Sequence, residues 1–375
     1  MSAGPDRPGA PFPLQWAGSD ARLLILGGGP TGLAAALAAR QRGLCPVVVE
    51  AQPGIIDKAC GEGLMPPAVR ALAALGVGPL PGLPFTGIAY VDARAPERLR
   101  VERDFPHGPG LGVRRLALSA ALQAAVAEAQ VPVIEARAVG ISQDDDGVEL
   151  ELEGGGRLRA PHLLAADGLR SPTRRWLGLE RPARGPARVG LRQHFFTPPW
   201  SPRVEVHWAE GVECYITPVG EDTVGVAFLM DRSRYVPLAA SSPIQAALAR
   251  FPHVAARLGP PASSPRGAGP FEQRVRAPRS GRVLLIGDAA GYLDPLTGEG
   301  IRLGLDTGAA AVAAVAAGRL GDYDRAYPGL LRRYWWMTGG LLAVTRPPLL
   351  RRMLLPTMQR APWLLSLALR LMGEG

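Results

Sequence analysis

The chain has 375 residues, 47% of them hydrophobic, enough to bury the core of two domains or of one large interleaved domain. Its formal net charge is +9, but the arginines are scattered with no basic-aromatic stripe, which argues against a nucleic-acid groove and suits a phosphate-rich cofactor or an anionic membrane surface. Three separated cysteines, Cys45, Cys60 and Cys214, exclude a CxxC zinc site or dithiol pair and fit a reducing cytoplasm.

Residues 1–20 are rich in Pro and Gly and read as a disordered arm, not a signal peptide. Arg22 to Glu50 then form a complete βαβ pattern. Leu23 to Leu26 are a continuous apolar run, as in a strand buried on both faces. Gly27, Gly29 and Gly32 give GxGxxG, residues 31–42 read as a helix, and Val47 to Val49 form a second buried strand closed by Glu50. The first glycine permits a tight turn, the second a close backbone approach to pyrophosphate, and the third close helix packing. The helix N-terminus offers N–H groups to the phosphates. Glu50 is placed to accept from ribose hydroxyls, which favours FAD or NAD over NADP.

Next comes DKACGEGLMPP, residues 57–67. It holds Lys58, the only lysine beside 41 arginines, and Cys60, followed by Gly61 and Gly63 around Glu62. A short helix is expected over 68–76, short strands over 81–105, and an apolar-striped helix over 114–129 through Leu118, Leu122 and Val126. Strands joined by tight turns follow, with Gly154 to Gly156 as a hairpin tip. Leu163 to Ala166 lead into Asp167-Gly168 and an arginine-bearing turn. Residues 188–230 alternate and are rich in Val, Phe, Trp and Tyr, predicting an antiparallel sheet with one wet face.

Val283 to Ile286 form another buried strand, running into GDAAGYLDPLTGEG and a helix over 304–317. Here Asp288 could accept from a polyol, and the glycines free backbone N–H groups near Gly300 and Ile301 to face a ligand. The tail alternates apolar runs with arginine pairs, and residues 362–372 are apolar nearly all round. That surface needs cover from the protein itself, a partner or a bilayer. No stretch of 18 uncharged apolar residues predicts a spanning helix. The five histidines have no metal-like spacing, so no metal site is expected.

The three landmarks in this order resemble the FAD-dependent oxidoreductases that include aromatic-hydroxylase-type monooxygenases and geranylgeranyl reductases. The motifs are GxGxxG with Glu50, Asp167-Gly168 with Arg170 and Ser171, and Gly287-Asp288 with the Pro and glycines that follow. The resemblance spans about residues 20–335. It implies an α/β fold: a Rossmann-like, glutathione-reductase-like FAD-binding domain interleaved with an antiparallel substrate sheet and a C-terminal helical tail. The FAD-binding parts would be 21–80, 106–185 and 276–335, the substrate domain 81–105 and 186–275, and the tail 336–375.

By that resemblance Gly27, Gly29, Gly32 and Glu50 hold the ADP half of FAD. Arg115 (or its neighbour Arg114) and Asp167 lie near the phosphates, and Asp288 holds the ribityl chain. Pro295, Gly298, Gly300 and Ile301 line the flavin ring, which the 57–67 segment also borders, with Gly61 allowing close approach. Cys60, Lys58 and Pro295 are then the catalytic candidates, Cys60 as a wall or as a thiolate if Lys58 lowers its pKa. The plainer alternatives are a core thiol and a surface lysine. The expected reaction is monooxygenation of a hydrophobic small molecule through a flavin C4a-hydroperoxide, with double-bond reduction of the geranylgeranyl reductase type as the alternative. No second GxGxxG follows, so NAD(P)H is expected as a transient electron donor, or a partner reductase supplies the electrons. Cytoplasmic residence is expected, with peripheral membrane contact through the tail as an alternative to packing on its own domain.

Overall fold

The computed structural model describes residues 22–238 and 242–373; the expected 1–20 arm lies outside them. The βαβ unit forms as strand Leu23–Leu26, helix Pro30–Gln41 and strand Pro46–Glu50. It sits in a six-stranded sheet with the order Arg279–Ser280, Val283–Leu285, Leu163–Ala165, Leu23–Leu26, Pro46–Glu50, Val133–Glu135. All neighbours are parallel except the Arg279–Ser280 edge strand. Successive side chains leave a strand on opposite faces. Leu23 and Ile25 accordingly pack with Leu33, Leu122 and Val312 of the helices. Leu24 and Leu26 pack on Val148, Leu150 and Leu152 of a three-stranded meander. Both faces are covered, which is why the apolar run is continuous rather than alternating.

Helices form at Pro66–Ala74 and Arg115–Glu128, close to the expected spans. The helix expected over 304–317 begins earlier, at Gly300, and runs to Ala316. Gly300 and Ile301 are therefore its first turn, where N–H groups lack intrahelical acceptors. Gly304 explains how closely it lies to the first helix. A Cβ there would stand 2.1 Å from Thr31 Oγ1.

The second sheet has seven strands in the order Arg266–Ala268, Arg188–Phe196, Thr223–Asp231, Val212–Gly220, Arg203–Ala209, Gly87–Asp92, Arg100–Asp104. It departs from expectation in two ways. Arg203–Ala209 and Gly87–Asp92 pair in parallel, and neither face is wet. Cys214, Ile216, Val226 and Phe228 are covered by Ile244, Leu248, Phe251 and Val254 of short helices. Tyr90, Val206 and Trp208 lie under Leu355, Met358, Leu365 and Leu369 of the tail. Non-local segments thus cover the face that looked exposed in the strands alone. The tail is three helices, Gly321–Thr345, Pro348–Arg360 and Trp363–Gly373.

Candidate functional site

The first landmark is a turn that only glycine can make. Gly27 has φ +112°, and a Cβ on it would lie 2.4 Å from the Ala166 carbonyl oxygen. A Cβ on Gly32 would lie 1.8 Å from the Gly27 oxygen, so helix and strand touch through backbone. Gly29, by contrast, has nothing within 4 Å of its Cβ position. It is the N-cap of the helix, and no side chain caps that first turn. The loop is closed toward the protein at Gly27 and Gly32 and open at Gly29. Glu50 accepts from Gly28 N at 2.6 Å and from Gln52 N at 2.9 Å, which fixes its carboxylate beside the loop.

The other two landmarks converge on the same end of the sheet. Gly27 N donates to Val49 O and Ala166 N to Leu26 O, so the loop lies against Asp167. Asp167 Oδ2 accepts from Thr173 N at 3.0 Å, while its Oδ1 is buried with no partner among the described residues. Arg170 is exposed and donates to the Gly269 carbonyl at 3.4 Å, whereas Ser171 caps the short helix Pro172–Trp176. The arginine that matters structurally is Arg174, which the motif reading passed over. It is buried, donating to Leu169 O at 2.7 Å, Gln273 Oε1 at 2.6 Å and Ala289 O at 3.2 Å, and it ties the second landmark to the third. Burial pushes the Asp288 carboxyl up to about 6, against the pull of Arg115, Lys58 and Arg174. A half-buried acid under the field of three cations is suited to a ligand that brings its own polar groups.

Pro295 opens a 3-10 turn, Pro295–Thr297, capped by Asp294 Oδ1 on Leu296 N at 3.0 Å. Gly298 follows at φ +69° with open space at its Cβ position, and Gly300 packs on the Tyr292 ring. Ile301 is half-buried in the same first turn of the helix. Arg115 is buried at the start of its helix, and its Nε, like that of Arg114, has no partner among the described residues.

The 57–63 segment is stapled across to the second sheet. Gly61 is exposed, with open space at its Cβ position, and its carbonyl accepts from Thr217 Oγ1 at 2.8 Å. Glu62, which sequence reasoning missed, is buried in the left-handed region at φ +59°. Its Oε1 accepts from Arg115 N at 2.8 Å, and its Oε2 lies 2.6 Å from His194 Nε2. Asp57 pairs with Arg192 and Arg266. Only the pattern of a carboxylate between two glycines hinted at this. Cys60 corrects the thiolate expectation. Burial pushes its thiol up, Arg115 is the largest opposing charge, and Lys58 is not among the causes. The Lys58 side chain is exposed, and its carbonyl accepts from Arg192 at 3.3 Å.

A second buried cluster joins the substrate sheet to the Pro295 turn. Arg188 donates to Glu213 at 2.9 Å and to Asp294 at 3.2 Å. Tyr215 OH donates toward Glu213 Oε2 at 3.2 Å and lies 3.3 Å from Leu296 O. Burial lifts Asp294 to about 7 despite Arg188. Burial, then Glu213, raises Tyr215 well above an ordinary phenol. One guanidinium serves two carboxylates in a buried setting, which favours a proton on Asp294.

These residues fit flavin adenine dinucleotide. The glycine loop is open where a pyrophosphate would approach, Asp167 beside it has a buried oxygen with no partner among the described residues, and a glycine-lined turn faces the same end of the sheet. The fold and site define an FAD-dependent oxidoreductase. The chain belongs to the FAD binding domain family, whose model matches residues 20–334. Menaquinone reductase of Mycolicibacterium smegmatis is 29% identical, covering 94% of this chain and 91% of that protein. Ubiquinone hydroxylase UbiL of Rhodospirillum rubrum is 29% identical, covering 89% and 81%. The flavin-dependent brominase Bmp2 superimposes with a TM-score of 0.80 at 18% identity over 95% of this chain and 94% of that one, a likeness of fold.

Proposed function

We propose that this FAD-dependent oxidoreductase is a reductase, adding two hydrogens across a carbon–carbon double bond of a lipophilic, quinone-type substrate. This reverses the order expected from sequence, in which monooxygenation came first. The observation that carries the reading is the proton-holding cluster of Asp294, Arg188, Glu213 and Tyr215 beside the Pro295 turn. Saturating a double bond requires a hydride and a proton, and a buried acid near 7 is matched to donate that proton at neutral pH. The extent of the match to menaquinone reductase supports the same substrate class.

FAD, when bound, supplies the hydride chemistry, and the protein supplies position and environment. Gly27 to Gly32, Glu50, Arg115 and Asp167 are the residues that would hold the dinucleotide, and Asp288 would accept from its polyol. Gly298, Gly300 and Ile301 would line the ring. The Glu62–His194 and Asp57–Arg192 pairs hold the 57–63 segment over that region and exclude water. Asp294 stores the proton, and Tyr215, on the substrate sheet, joins the same network with its O–H directed at Glu213 and the Leu296 carbonyl. NAD(P)H is the proposed transient reductant.

Hydroxylation of a quinone-type ring is the second reading, favoured by the UbiL relative and by the hydroxylase-like stretch ADGLRSPTRRWLG. Anaerobic turnover with NADPH and a menaquinone separates the two. A product heavier by two hydrogens without oxygen is expected. Strictly oxygen-dependent product carrying an oxygen from O2 would overturn the reductase reading.

A further inference from the structure

From Arg325 to Gly373 the chain contains eight arginines and no aspartate or glutamate. This stretch supplies most of the Gly321–Thr345 helix and all of the last two helices. Their inner faces are spent on the protein: Leu355, Met358, Leu365 and Leu369 are buried on the substrate sheet. Their outer faces are not polar. Trp336 is 71% exposed, Leu349 69%, Trp363 63% and Met353 56%. Leu349 and Met353 stand one turn apart, as do Trp363 and Leu367, so each pair shares a helix face. Arg332, Arg346, Arg352, Arg360 and Arg370 are exposed on the same three helices.

We infer that the outward surface of these three helices docks on an anionic lipid bilayer. Exposed Trp and Leu on a stretch whose only charged side chains, from 325 to 373, are cationic are the composition of an interfacial surface, with apolar groups entering the headgroup boundary and arginines meeting anionic headgroups. Among the described residues no helix is long and apolar enough to cross a membrane, so the attachment is to one leaflet. Charge selects this occupant over a second copy of the chain. Two copies placed face to face through residues 325–373 would oppose arginine to arginine with no acid from that stretch between them. The inference does not depend on which flavin reaction the protein performs.

The test is co-sedimentation of the full-length flavoprotein with vesicles of phosphatidylcholine alone or mixed with phosphatidylglycerol. Binding to the mixed vesicles, weakened by salt, is expected, with little binding to phosphatidylcholine alone. The triple variant Leu349→Glu, Met353→Glu, Trp363→Glu should lose about tenfold or more in partitioning. Its visible flavin spectrum and unfolding midpoint should be retained, because all three side chains point outward. Brominated lipid should quench the wild type more than Trp336→Phe/Trp363→Phe, which should still bind. Equal partitioning of wild type and triple variant would overturn the inference. So would a wild type that ignores mixed vesicles, or one that forms a dimer broken by the triple variant and unaffected by lipid.

Discussion

Replacing Asp294 by Asn tests the proton-holding cluster directly. Asp294 is 2% exposed and sits at about 7 in the folded protein, against an ordinary value of 3.8. Between those values the folded protein holds a proton that the unfolded chain has released. Unfolding there sheds a proton, and stability falls as pH rises from about 4 through 7. The difference of roughly three units corresponds to a cost of about 4 kcal/mol at pH 8. Asn keeps the size, and its Oδ1 still accepts from Leu296 N. It leaves Arg188 paired one-to-one with Glu213. The variant should match wild type near pH 4 and gain on it progressively, by up to about 4 kcal/mol at pH 8. Urea unfolding at a series of pH values, followed by circular dichroism, measures the difference. Parallel stability curves across pH 4–8 would show that Asp294 is ionised in the folded protein, and the proton-storage argument would fail with it.

Gly32→Ala places a Cβ 1.8 Å from a backbone oxygen, and should cost about 3 kcal/mol or more by urea midpoint. Gly29→Ala enters open space at φ −73°. It should leave apoprotein stability within about 0.5 kcal/mol while lowering flavin affinity by titration; undiminished affinity would place the pyrophosphate elsewhere. Glu62→Ala strands His194 and the Arg115 N–H in a buried setting, at a cost of about 3–5 kcal/mol. Amide exchange in residues 57–63 should quicken, and unchanged protection would show that the staple does not hold the segment. Iodoacetamide at neutral pH should modify the exposed Cys45 about tenfold faster than Cys60. Preferential labelling of Cys60 would restore it as a reactive thiolate.

The parts of this protein legible from sequence are those whose causes are local. Leu23 to Leu26 announce a doubly covered strand because four consecutive positions are apolar. Gly27 and Gly32 announce the turn because their spacing is set by one strand-to-helix junction. Glu50 follows because it ends the adjacent strand and accepts from Gly28 within the same unit. The groups missed or misjudged have distant partners. Glu62 meets His194, 132 positions away, and Arg174 meets Ala289, 115 away. Arg188 meets Asp294, 106 away. The second sheet looked half wet because its cover comes from 244–254 and from the tail. Cys60 looked activated because Lys58 is its near neighbour in sequence, whereas burial sets its pKa.

Sequence alone determined the dinucleotide turn and the strand order's beginning, since steric and hydrogen-bonding demands there act within thirty or so residues. Only the tertiary structure decided which charges are buried and beside whom. Desolvation and pairing are properties of the assembled interior, and they assign Asp294 its proton and Glu62 its place.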